Sequence, residues 1–451
     1  MSAHAPPVAL ARAGRPIPSR LAMAIGVALL LFAVAASIWP VLTDAWLVAV
    51  GVVAAAALAD LAAARALPPR LALERRMPGS VPIGRWRDCF LRISNPGPFP
   101  VRCEVHDHHP AAVESSGLPL QVSVPARGYA MAPYKMRATE RGTLGFAPAE
   151  ARVGSPFRLW DSRVRLGPSQ SVRSYPDFAE LADYALFATE NRLSQIGVLK
   201  QRRRGEGLEF HQLRDYREGD SLRQIDWSAT ARLRRPIARE YQDERDQQIV
   251  FLIDSGRRMN ARDGLLSHFD EVLNAVLLLA FVALRQGDAA GLMTFAGAEP
   301  RFVPARKSRE TINAFLNALY DVQPTLRPPD YHAAAVELSR RLKRRSLVVV
   351  VSNLRDEDEE TLLPALALLK RKHLVLFANL RESALDSVRE APIRTLDDAL
   401  TYGAGAVYER ERAAITRRVE SAGAMLLDVP PKDLAVRLVN RYLDLKRSGR
   451  F

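Results

Sequence analysis

The sequence predicts an α/β fold class: a doubly wound, mostly parallel sheet preceded by a β-sandwich domain and an N-terminal transmembrane helical hairpin. Three observations predict it. Two long apolar runs lie near the N-terminus, short alternating segments broken by Pro and Gly follow them, and strand-like blocks then alternate with helix-like blocks. The predicted parts are a basic tail (1–20), the hairpin (21–64), the sandwich (71–176), a linker with a charged segment (177–247) and the α/β domain (248–451).

The charge balance limits the classes of partner. The chain has 64 Lys plus Arg against 50 Asp plus Glu, a formal charge of +14, which suits an anionic membrane surface, an acidic partner or nucleic acid. Nucleic acid is not expected as a partner, because the basic residues are spread out without interleaved aromatic residues. Cys89 and Cys103 are too few for a disulfide framework or a four-ligand zinc site, so a reducing compartment is the simpler interpretation.

The N-terminal hairpin is expected to anchor the protein in the lipid bilayer. Residues 21–38 form an uncharged apolar run, and a second run over 45–64 is interrupted only by Asp60. Each run is long enough to cross a bilayer as a helix, with Trp39 and Trp46 at a very short outer loop. By the positive-inside rule, the flanking arginines place both ends and the bulk of the chain in the cytoplasm, beneath the plasma (inner) membrane. These arginines are Arg12, Arg15, Arg20, Arg65, Arg70, Arg75 and Arg76.

A cleavable signal peptide is the alternative interpretation of the first run. Ala33, Val34 and Ala35 supply small residues after a basic start. The second run would still return the remaining chain to the cytoplasm, so the expected location of the bulk is the same.

The middle region has the pattern of a small β-sandwich. Short alternating segments such as "LPLQVSVPARG" are separated by turn signals about every ten residues. His106, Asp107, His108 and His109 invite a metal interpretation, but only two imidazoles share a face and Pro110 ends the strand at once. We therefore expect a solvated strand end and assign this domain no chemistry.

The C-terminal region alternates apolar strands with helices. The strands "IVFLID", "AGLMTF", "SLVVVVS", "HLVLFAN" and "AMLLDV" are typical of a parallel sheet covered on both faces. Sites in such sheets lie at the carboxyl ends of strands. Asp254 ends the first strand and Ser352 and Asn353 end the third, so the two loops are expected to lie close together.

Two stretches carry a family resemblance. The segment "GEGLEFHQLRDYREGDSLRQIDWSATARLRRPIAREY" (205–241, the signature segment) resembles the signature of the bacterial domain of unknown function 58 family. Residues 141–160 are similar to its upstream Arg-Gly and Asp-Pro-Phe-Gly-Leu elements, although Gly154 and Ser155 replace the acidic start. The resemblance covers most of the chain. It implies a von Willebrand factor A-like domain and, as partner, a MoxR-type AAA+ ATPase, for which such proteins are proposed adaptors; the client protein stays unidentified.

The signature segment has two interpretations. Gly219 and Asp220 are expected to form a turn into a short helix capped by Asp220, with Ile225 and Trp227 as buried anchors. The surrounding charges fit either an interaction surface or, as we favour, an ion-pair network that fastens the segment. The candidate residues are Arg214, Tyr216, Arg217, Gly219, Asp220, Arg223, Asp226 and Trp227.

The resemblance also bears on a metal site. A complete A-type site uses Asp-x-Ser-x-Ser, a Thr and a later Asp to bind Mg²⁺ through oxygen ligands. The corresponding positions here are Asp254, Gly256, Arg258 and Asn353, which leave one carboxylate and add a fixed cation. The sequence thus predicts a degenerate site that holds no metal, and no cofactor.

Two hypotheses describe what fills the degenerate site. The guanidinium of Arg258, or that of Arg257, occupies the metal position and pairs with Asp254. Alternatively, Asp254 caps the following helix and both arginines are solvated. A third possibility is a metal-dependent module that still recruits Mg²⁺ through Asp254, Ser352 and waters.

No catalytic constellation is recognisable, so we expect a binding protein and not an enzyme. The sequence has no phosphate-binding loop, no nucleophile elbow and no zinc-protease motif. A hydrolase that uses Ser255 is retained only as a hypothesis to test. The candidate partner-binding residues are Asp254, Ser255, Arg257, Arg258, Ser352, Asn353 and Asp356.

Overall fold

A computed structural model describes residues 16–66, 70–177, 209–217, 225–242, 247–308 and 310–448 of the chain. Its backbone forms two compact units, residues 1–175 and residues 176–451. The described part has mixed α/β content, with two apolar helices and a strand-rich region in the first unit.

Two apolar helices form the predicted hairpin. After the short strand β1 (Ile17–Pro18), α1 (Arg20–Ile38) and α2 (Thr43–Ala66) are joined by a 3₁₀ turn at Pro40–Leu42. Both helical segments are long and apolar enough to cross a membrane, and few of their side chains are buried. The existence of these two apolar helices is therefore confirmed.

Asp60, the one charge in the second apolar run, ties α2 to the sandwich. Its carboxylate is fully buried and accepts hydrogen bonds from the Ser155 hydroxyl, the Phe157 amide at 2.9 Å and the Leu159 amide at 3.0 Å. Trp160 Nε1 donates to the carbonyl of Ala57 at 2.9 Å. Hydrogen bonds to a charged acceptor are roughly twice as strong as neutral ones, so the bonds of Asp60 stabilise the contact between α2 and the turn at residues 155–160.

Three antiparallel or mixed sheets build the strand region. Their orders are β1-β11-β10-β5-β7, β2-β4-β8-β6 and β3-β12-β9. The strands are β2 (Ala72–Arg76), β3 (Ser80–Pro82), β4 (Trp86–Asn95), β5 (Val101–His106), β6 (Val113–Ser116), β7 (Leu120–Val124), β8 (Gly128–Ala138), β9 (Gly142–Phe146), β10 (Ala149–Gly154), β11 (Trp160–Leu166) and β12 (Gln170–Tyr175).

Alternation along these strands forms a sandwich-like core. On β4, the side chains of Cys89, Leu91 and Ile93 are fully buried and alternate with more exposed ones, as a strand with one core face requires. Cys89 and Cys103 are both buried and free, and burial raises the pKa of each thiol to about 11.

Asp107 corrects two expectations. The sequence predicts a solvated strand end at Asp107 and places Arg75 among the charges beside the membrane. Instead, Asp107 is fully buried and Arg75 nearly so, and Arg75 Nε donates to Asp107 Oδ2 at 2.9 Å. Tyr134 donates its hydroxyl to the same oxygen at 2.6 Å. The pair lies inside the core because the side chains of Arg75 and Asp107 both face inward. The sequence alone does not show which way these charged side chains face.

The second unit begins with a hairpin that carries part of the signature segment. Strands β13 (Glu209–Asp215) and β14 (Ile237–Gln242) pair antiparallel, and α3 (Trp227–Leu233) lies between them in sequence.

A six-stranded sheet forms the centre of the second unit. Its order is β17-β16-β15-β18-β19-β20, parallel throughout except for the edge strand β17. Side chains of β15 alternate between two cores, with Phe251 in one and Leu252 in the other, because helices cover both faces. The strands are β15 (Gln248–Asp254), β16 (Ala289–Phe295), β17 (Phe302–Arg306), β18 (Leu347–Ser352), β19 (Leu374–Leu380) and β20 (Met425–Val429).

The covering helices include two that the sequence pattern did not indicate. The helices are α4 (His268–Arg285), α5 (Glu310–Leu319), α6 (Tyr331–Arg341), α7 (Glu359–Lys370), α8 (Ala384–Glu390), α9 (Leu396–Ser421) and α10 (Pro431–Arg447). These are the short helix α8 and the long helix α9. Helix α9 buries only Arg412, Ile415 and Val419 and therefore lacks a clear apolar stripe. Its start has a capping box, with Asp398 N donating to Thr395 Oγ1 at 3.1 Å, and this signal was available in the sequence.

Candidate functional site

The carboxyl ends of β15 and β18 meet as expected. Ser352 Oγ donates to Asp254 Oδ2 at 2.6 Å, and the amide of Gly256 donates to Asp254 Oδ1 at 2.7 Å. The hydroxyl of Tyr331, the first residue of α6, lies 2.7 Å from Ser352 Oγ. Asp254, Ser352 and Tyr331 are all buried, so these hydrogen bonds form a closed chain beneath the surface.

The buried position changes the acidity of Asp254. Burial raises the pKa of its carboxyl to about 6, against the opposing effect of the hydrogen bonds from Ser352 and Gly256. Both carboxylate oxygens of Asp254 already accept hydrogen bonds from within the chain, so a cation would have to displace one of these donors.

Gly256 stands where a complete metal site has a serine, and the space around it is closed. A Cβ at this position would lie 2.8 Å from the carbonyl oxygen of Arg327 and 3.0 Å from Asp254 Oδ1. A side chain therefore needs the neighbouring backbone to move. The glycine is required by this close approach, as well as being unable to supply a metal ligand.

Arg258 supplies a nearly buried cation at the same end of the sheet. Its side chain is 8% exposed. Nη1 donates to the carbonyl of Asn353 at 2.9 Å, and Nη2 donates to Asp358 Oδ1 at 3.0 Å and also pairs with Glu357. Burial lowers the pKa of this guanidinium, but the hydrogen bonds and charge of Asp358 outweigh it and raise the pKa above its usual value.

This geometry corrects both hypotheses for the degenerate site. The guanidinium of Arg258 pairs with Asp358 and Glu357, not with Asp254. Nor is Arg258 solvated; only Arg257, with its side chain 48% exposed, lies at the surface, where its Nη2 donates to Glu357 Oε1 at 2.6 Å. Asp254 bonds the Gly256 amide in a turn and does not cap the 3₁₀ turn that follows, which has no side-chain cap.

Asn353 faces a different carboxylate from Asp254. Its Nδ2 donates to Glu382 Oε1 at 2.7 Å, and the same oxygen accepts from Arg355 Nη2 at 2.8 Å. Tyr408 on α9 donates to Glu382 Oε2 at 3.0 Å. Burial raises the pKa of the Glu382 carboxyl, but hydrogen bonds led by that from Asn353 outweigh burial and lower it overall.

The remaining candidates divide into buried and exposed residues. Ser255 is fully buried and its hydroxyl donates to the carbonyl of Phe295 at 2.7 Å, which leaves it inaccessible as a nucleophile. Asp356 and Glu357 are exposed and Arg257 is half-exposed. A partner that approaches this end of the sheet therefore meets these three charged side chains, while Asp254, Ser352 and Asn353 lie beneath them.

The signature segment differs from expectation at its aromatic residue. Trp227 is 71% exposed and not a buried anchor. The helix α3 begins at Trp227 and is capped by Asp226, whose Oδ1 accepts from the amide of Ala229 at 2.9 Å. The buried residues are Ala229, Ile237 and Ala238, whereas Ile225 is half-buried. The exposed tryptophan favours the interaction-surface interpretation of this segment.

Charges of the signature segment pair locally where they are described. Asp226 Oδ2 accepts from Arg239 Nε at 2.9 Å, and Asp215 pairs with Arg235 at 3.2 Å. Arg214 Nη1 donates to the carbonyl of Asp215 at 3.0 Å. Tyr216 and Arg217 follow β13. Gly219, Asp220 and Arg223, including the predicted Asp220 cap, lie outside the described residues.

The side chains of the described residues give little support for metal coordination. Within the described ranges, no three His, Cys, Asp or Glu residues are grouped so as to hold a metal ion, either at Asp254 or at His106 to His109. Glu357, Asp358 and Glu382 are already paired with arginines. The donor set around Asp254 does not fit Mg²⁺.

Two carboxylates that organise this end of the sheet, Asp358 and Glu382, are absent from the residues predicted from the sequence. Asp358 is 5% exposed, but it belongs to the acidic run 356–360, which has the composition of a solvated loop. Glu382 follows β19, a position at the carboxyl edge of the sheet that could have marked it.

Comparisons with known proteins agree with the resemblance over the second unit. Residues 212–423 match the family model described as protein of unknown function DUF58. Uncharacterized proteins of Mycobacterium bovis and Mycobacterium tuberculosis are 24% identical over 260 residues, which is 54% of this chain and 81% of theirs.

Likenesses to solved structures are weak. The conserved hypothetical protein BatB from Bacteroides thetaiotaomicron is 11% identical, with 45% of this chain and 99% of that chain covered and a TM-score of 0.31. A native alpha-2-macroglobulin structure from Escherichia coli is 17% identical over 24% of this chain, with a TM-score of 0.20. The chain spans only 17% of that structure's length. Family similarity thus rests on residues 212–423, which match the protein of unknown function DUF58 family and contain both Asp254 and Ser352.

Proposed function

We propose that this protein is a membrane-anchored, cytoplasm-facing, von Willebrand factor A-like adaptor for a MoxR-type AAA+ ATPase in protein assembly or maturation. The observation that carries the proposal is the nearly buried Arg258, paired with Asp358 at the carboxyl ends of β15 and β18. An A-type domain would hold a dissociable metal ion at this end of the sheet, whereas this chain has the fixed positive charge of Arg258 there.

The sheet order supports the A-type assignment. Five parallel strands with one antiparallel edge strand, covered by helices on both faces, are what the family resemblance implies. The hairpin supports anchoring, because α1 and α2 are long and apolar enough to span a membrane. Exposed Arg65 in the last turn of α2 and exposed Arg70 beyond it favour a cytoplasmic location for the bulk of the chain.

Binding is proposed to use charge complementarity and no metal. The exposed side chains of Arg257, Asp356 and Glu357, here called the loop surface, would contact the partner. The buried bonds of Asp254 with Ser352 and of Arg258 with Asp358 hold the two loops in one arrangement before the partner arrives. Such preorganisation lowers the entropic cost of binding.

The Mg²⁺-dependent alternative is disfavoured by the same contacts. It would use Asp254, Ser352 and waters, but the two side chains bond each other, and the remaining Asp254 oxygen accepts from the Gly256 amide. Opening these bonds would be necessary before a cation had access to the carboxylate.

A pull-down with surface variants tests the adaptor role. The full-length protein is tagged and recovered from its own membranes in mild detergent, with and without EDTA, and retained proteins are identified by mass spectrometry. The double variant Arg257→Ala/Asp356→Ala removes two side chains of the loop surface. Arg345→Ala is the matched control, because this exposed arginine precedes β18 at the opposite edge of the sheet.

We expect an AAA+ ATPase to be retained by the unmodified protein and by Arg345→Ala under both conditions. The loop variant should retain roughly 30-fold less, as expected for the loss of two interface contacts worth on the order of 1 kcal/mol each. Equal retention by the loop variant would place the contact elsewhere. Absence of any ATPase from the unmodified protein would contradict the adaptor role, and loss with EDTA would favour the metal-dependent alternative.

A further inference from the structure

The first unit contains a groove that the adaptor role does not use. Its cavity volume is about 580 Å³, and it lies on the outward face of the sheet formed by β11, β10, β5 and β7, next to the first residues of α1. The charged side chains that line it are Arg20, Arg102, Glu104, Arg152, Arg158 and Asp161.

The groove has an excess of positive charge. Four arginines against two carboxylates give a formal net charge of +2. Arg152 already has an ion-pair partner, because its Nε donates to Asp161 Oδ2 at 2.9 Å. Arg20, Arg102 and Arg158 are exposed, and none of them has an ion-pair partner within the part of the chain that the structure describes. Three free guanidinium groups therefore border one concave surface.

The position of the groove is fixed relative to the two apolar helices. Ser19, the residue before α1, donates its amide to the carbonyl of Leu159 at 2.9 Å and its hydroxyl to that of Arg158 at 2.5 Å. The same turn, 155–160, binds Asp60 of α2. The first residue before α1 and Asp60, in the last two turns of α2, thus both bind the turn that borders the groove. If the two helices span the bilayer, the groove lies in the headgroup layer, which adds roughly 5–7 Å to the hydrocarbon core on each side.

Arg158 has a backbone conformation that is unusual for arginine. Its φ is 59°, in the left-handed region where glycine or asparagine is usual. A side chain at such a position carries a backbone cost, so its presence favours a role for the guanidinium.

We propose that this groove binds the phosphate group of an anionic phospholipid from the leaflet next to the sandwich. Guanidinium groups bind phosphate oxygens in a planar, two-pronged geometry, and Arg20, Arg102 and Arg158 are available for this. The N-terminus of α1, capped by Ser19, adds a favourable dipole for an anion. A lipid headgroup is favoured over free phosphate because a lipid anchored in the same bilayer is held at the depth of the groove.

Native mass spectrometry of the full-length protein in mild detergent tests the proposal. Phosphatidylglycerol and phosphatidylcholine are titrated separately, and inorganic phosphate is added as a soluble competitor. The test variant is Arg102→Gln/Arg158→Asn, in which asparagine suits the left-handed backbone. The matched control is Arg165→Gln, an exposed arginine on the same face of β11, about 13 Å along the strand from Asp161.

The unmodified protein and Arg165→Gln are expected to bind phosphatidylglycerol at least tenfold more tightly than phosphatidylcholine, and the double variant should lose this preference. An unchanged melting temperature confirms that the double variant is folded; if it is not, the single variant Arg102→Gln on regular strand β5 must show a reduced preference. A preference kept by a folded double variant, or absent from the unmodified protein, overturns the proposal. Displacement of the lipid by equimolar inorganic phosphate would assign the groove to free phosphate instead.

Discussion

Replacing Asp358 with asparagine is expected to destabilise the protein by about 3 kcal/mol, because it leaves the nearly buried Arg258 without its main counter-charge. Glu357 also pairs with Arg258, but its side chain is 54% exposed and compensates only in part. The expected fall in melting temperature is about 6–12 °C for a unit of this size. Thermal denaturation of the full-length protein in mild detergent measures it.

Two further variants separate a buried ion pair from a general sensitivity of this loop. Asp356→Asn changes an exposed carboxylate two residues away and should leave the melting temperature unchanged within about 2 °C. The double variant Arg258→Met/Asp358→Leu removes both charges and should recover most of the loss, because no unpaired buried charge remains. A similar melting temperature for Asp358→Asn and Asp356→Asn would contradict the assigned role of Asp358.

Asp254→Asn is expected to change the pH dependence of stability. In the folded protein the pKa of Asp254 is raised to about 6, whereas an unfolded aspartate has a value of about 3.9. The folded state therefore binds the proton more tightly, and the stability from this group is present below pH 4 and lost as pH rises through 6. The size of the loss is about 3 kcal/mol, from roughly two pKa units at 1.36 kcal/mol each.

The asparagine variant lacks this titration. Between pH 4 and pH 7.5 the unmodified protein should lose about 3 kcal/mol of its free energy of unfolding through Asp254, and the variant should not show this loss. At pH 7.5 the net gain of the variant over the unmodified protein is smaller, about 1–2 kcal/mol, because one hydroxyl hydrogen of the Tyr331 and Ser352 pair loses its acceptor. Melting temperatures at the two pH values provide the measurement.

Asp254→Ala serves as the comparison for this prediction. It leaves Ser352 Oγ and the Gly256 amide without their acceptor, so it should destabilise the protein at both pH values. Parallel pH profiles for the unmodified protein and Asp254→Asn would show that Asp254 does not titrate near pH 6.

The parts of the fold that sequence reasoning predicted are those with strong local signals. Continuous β-branched runs mark β18 and β15, and their parallel arrangement brings Asp254 to Ser352 without any knowledge of the loops. The two apolar helices follow from composition alone. In each case the apolar face of one element is enough to determine its burial.

The residues that the sequence did not reveal are those whose burial depends on the direction in which the side chain points. Asp358 and Asp356 belong to one acidic run, yet only Asp358 faces Arg258 and is buried. Asp60 resembles a break in an apolar helix, but it is the residue that binds the sandwich turn. Trp227 is exposed because α3 buries its Ala229 face. Tertiary contacts decide these directions, and a single sequence does not encode them locally.

The central claim is that Arg258 supplies the positive charge at the carboxyl ends of the parallel strands, and that this site binds its partner without a metal ion. Calorimetric titration of the full-length protein with Mg²⁺ and Mn²⁺ tests it most directly, with Asp254→Ala titrated in parallel. We predict no saturable heat up to roughly millimolar cation, since Asp254 is closed by Ser352 and Gly256. Saturable micromolar binding that Asp254→Ala abolishes would contradict the claim and establish a working metal site.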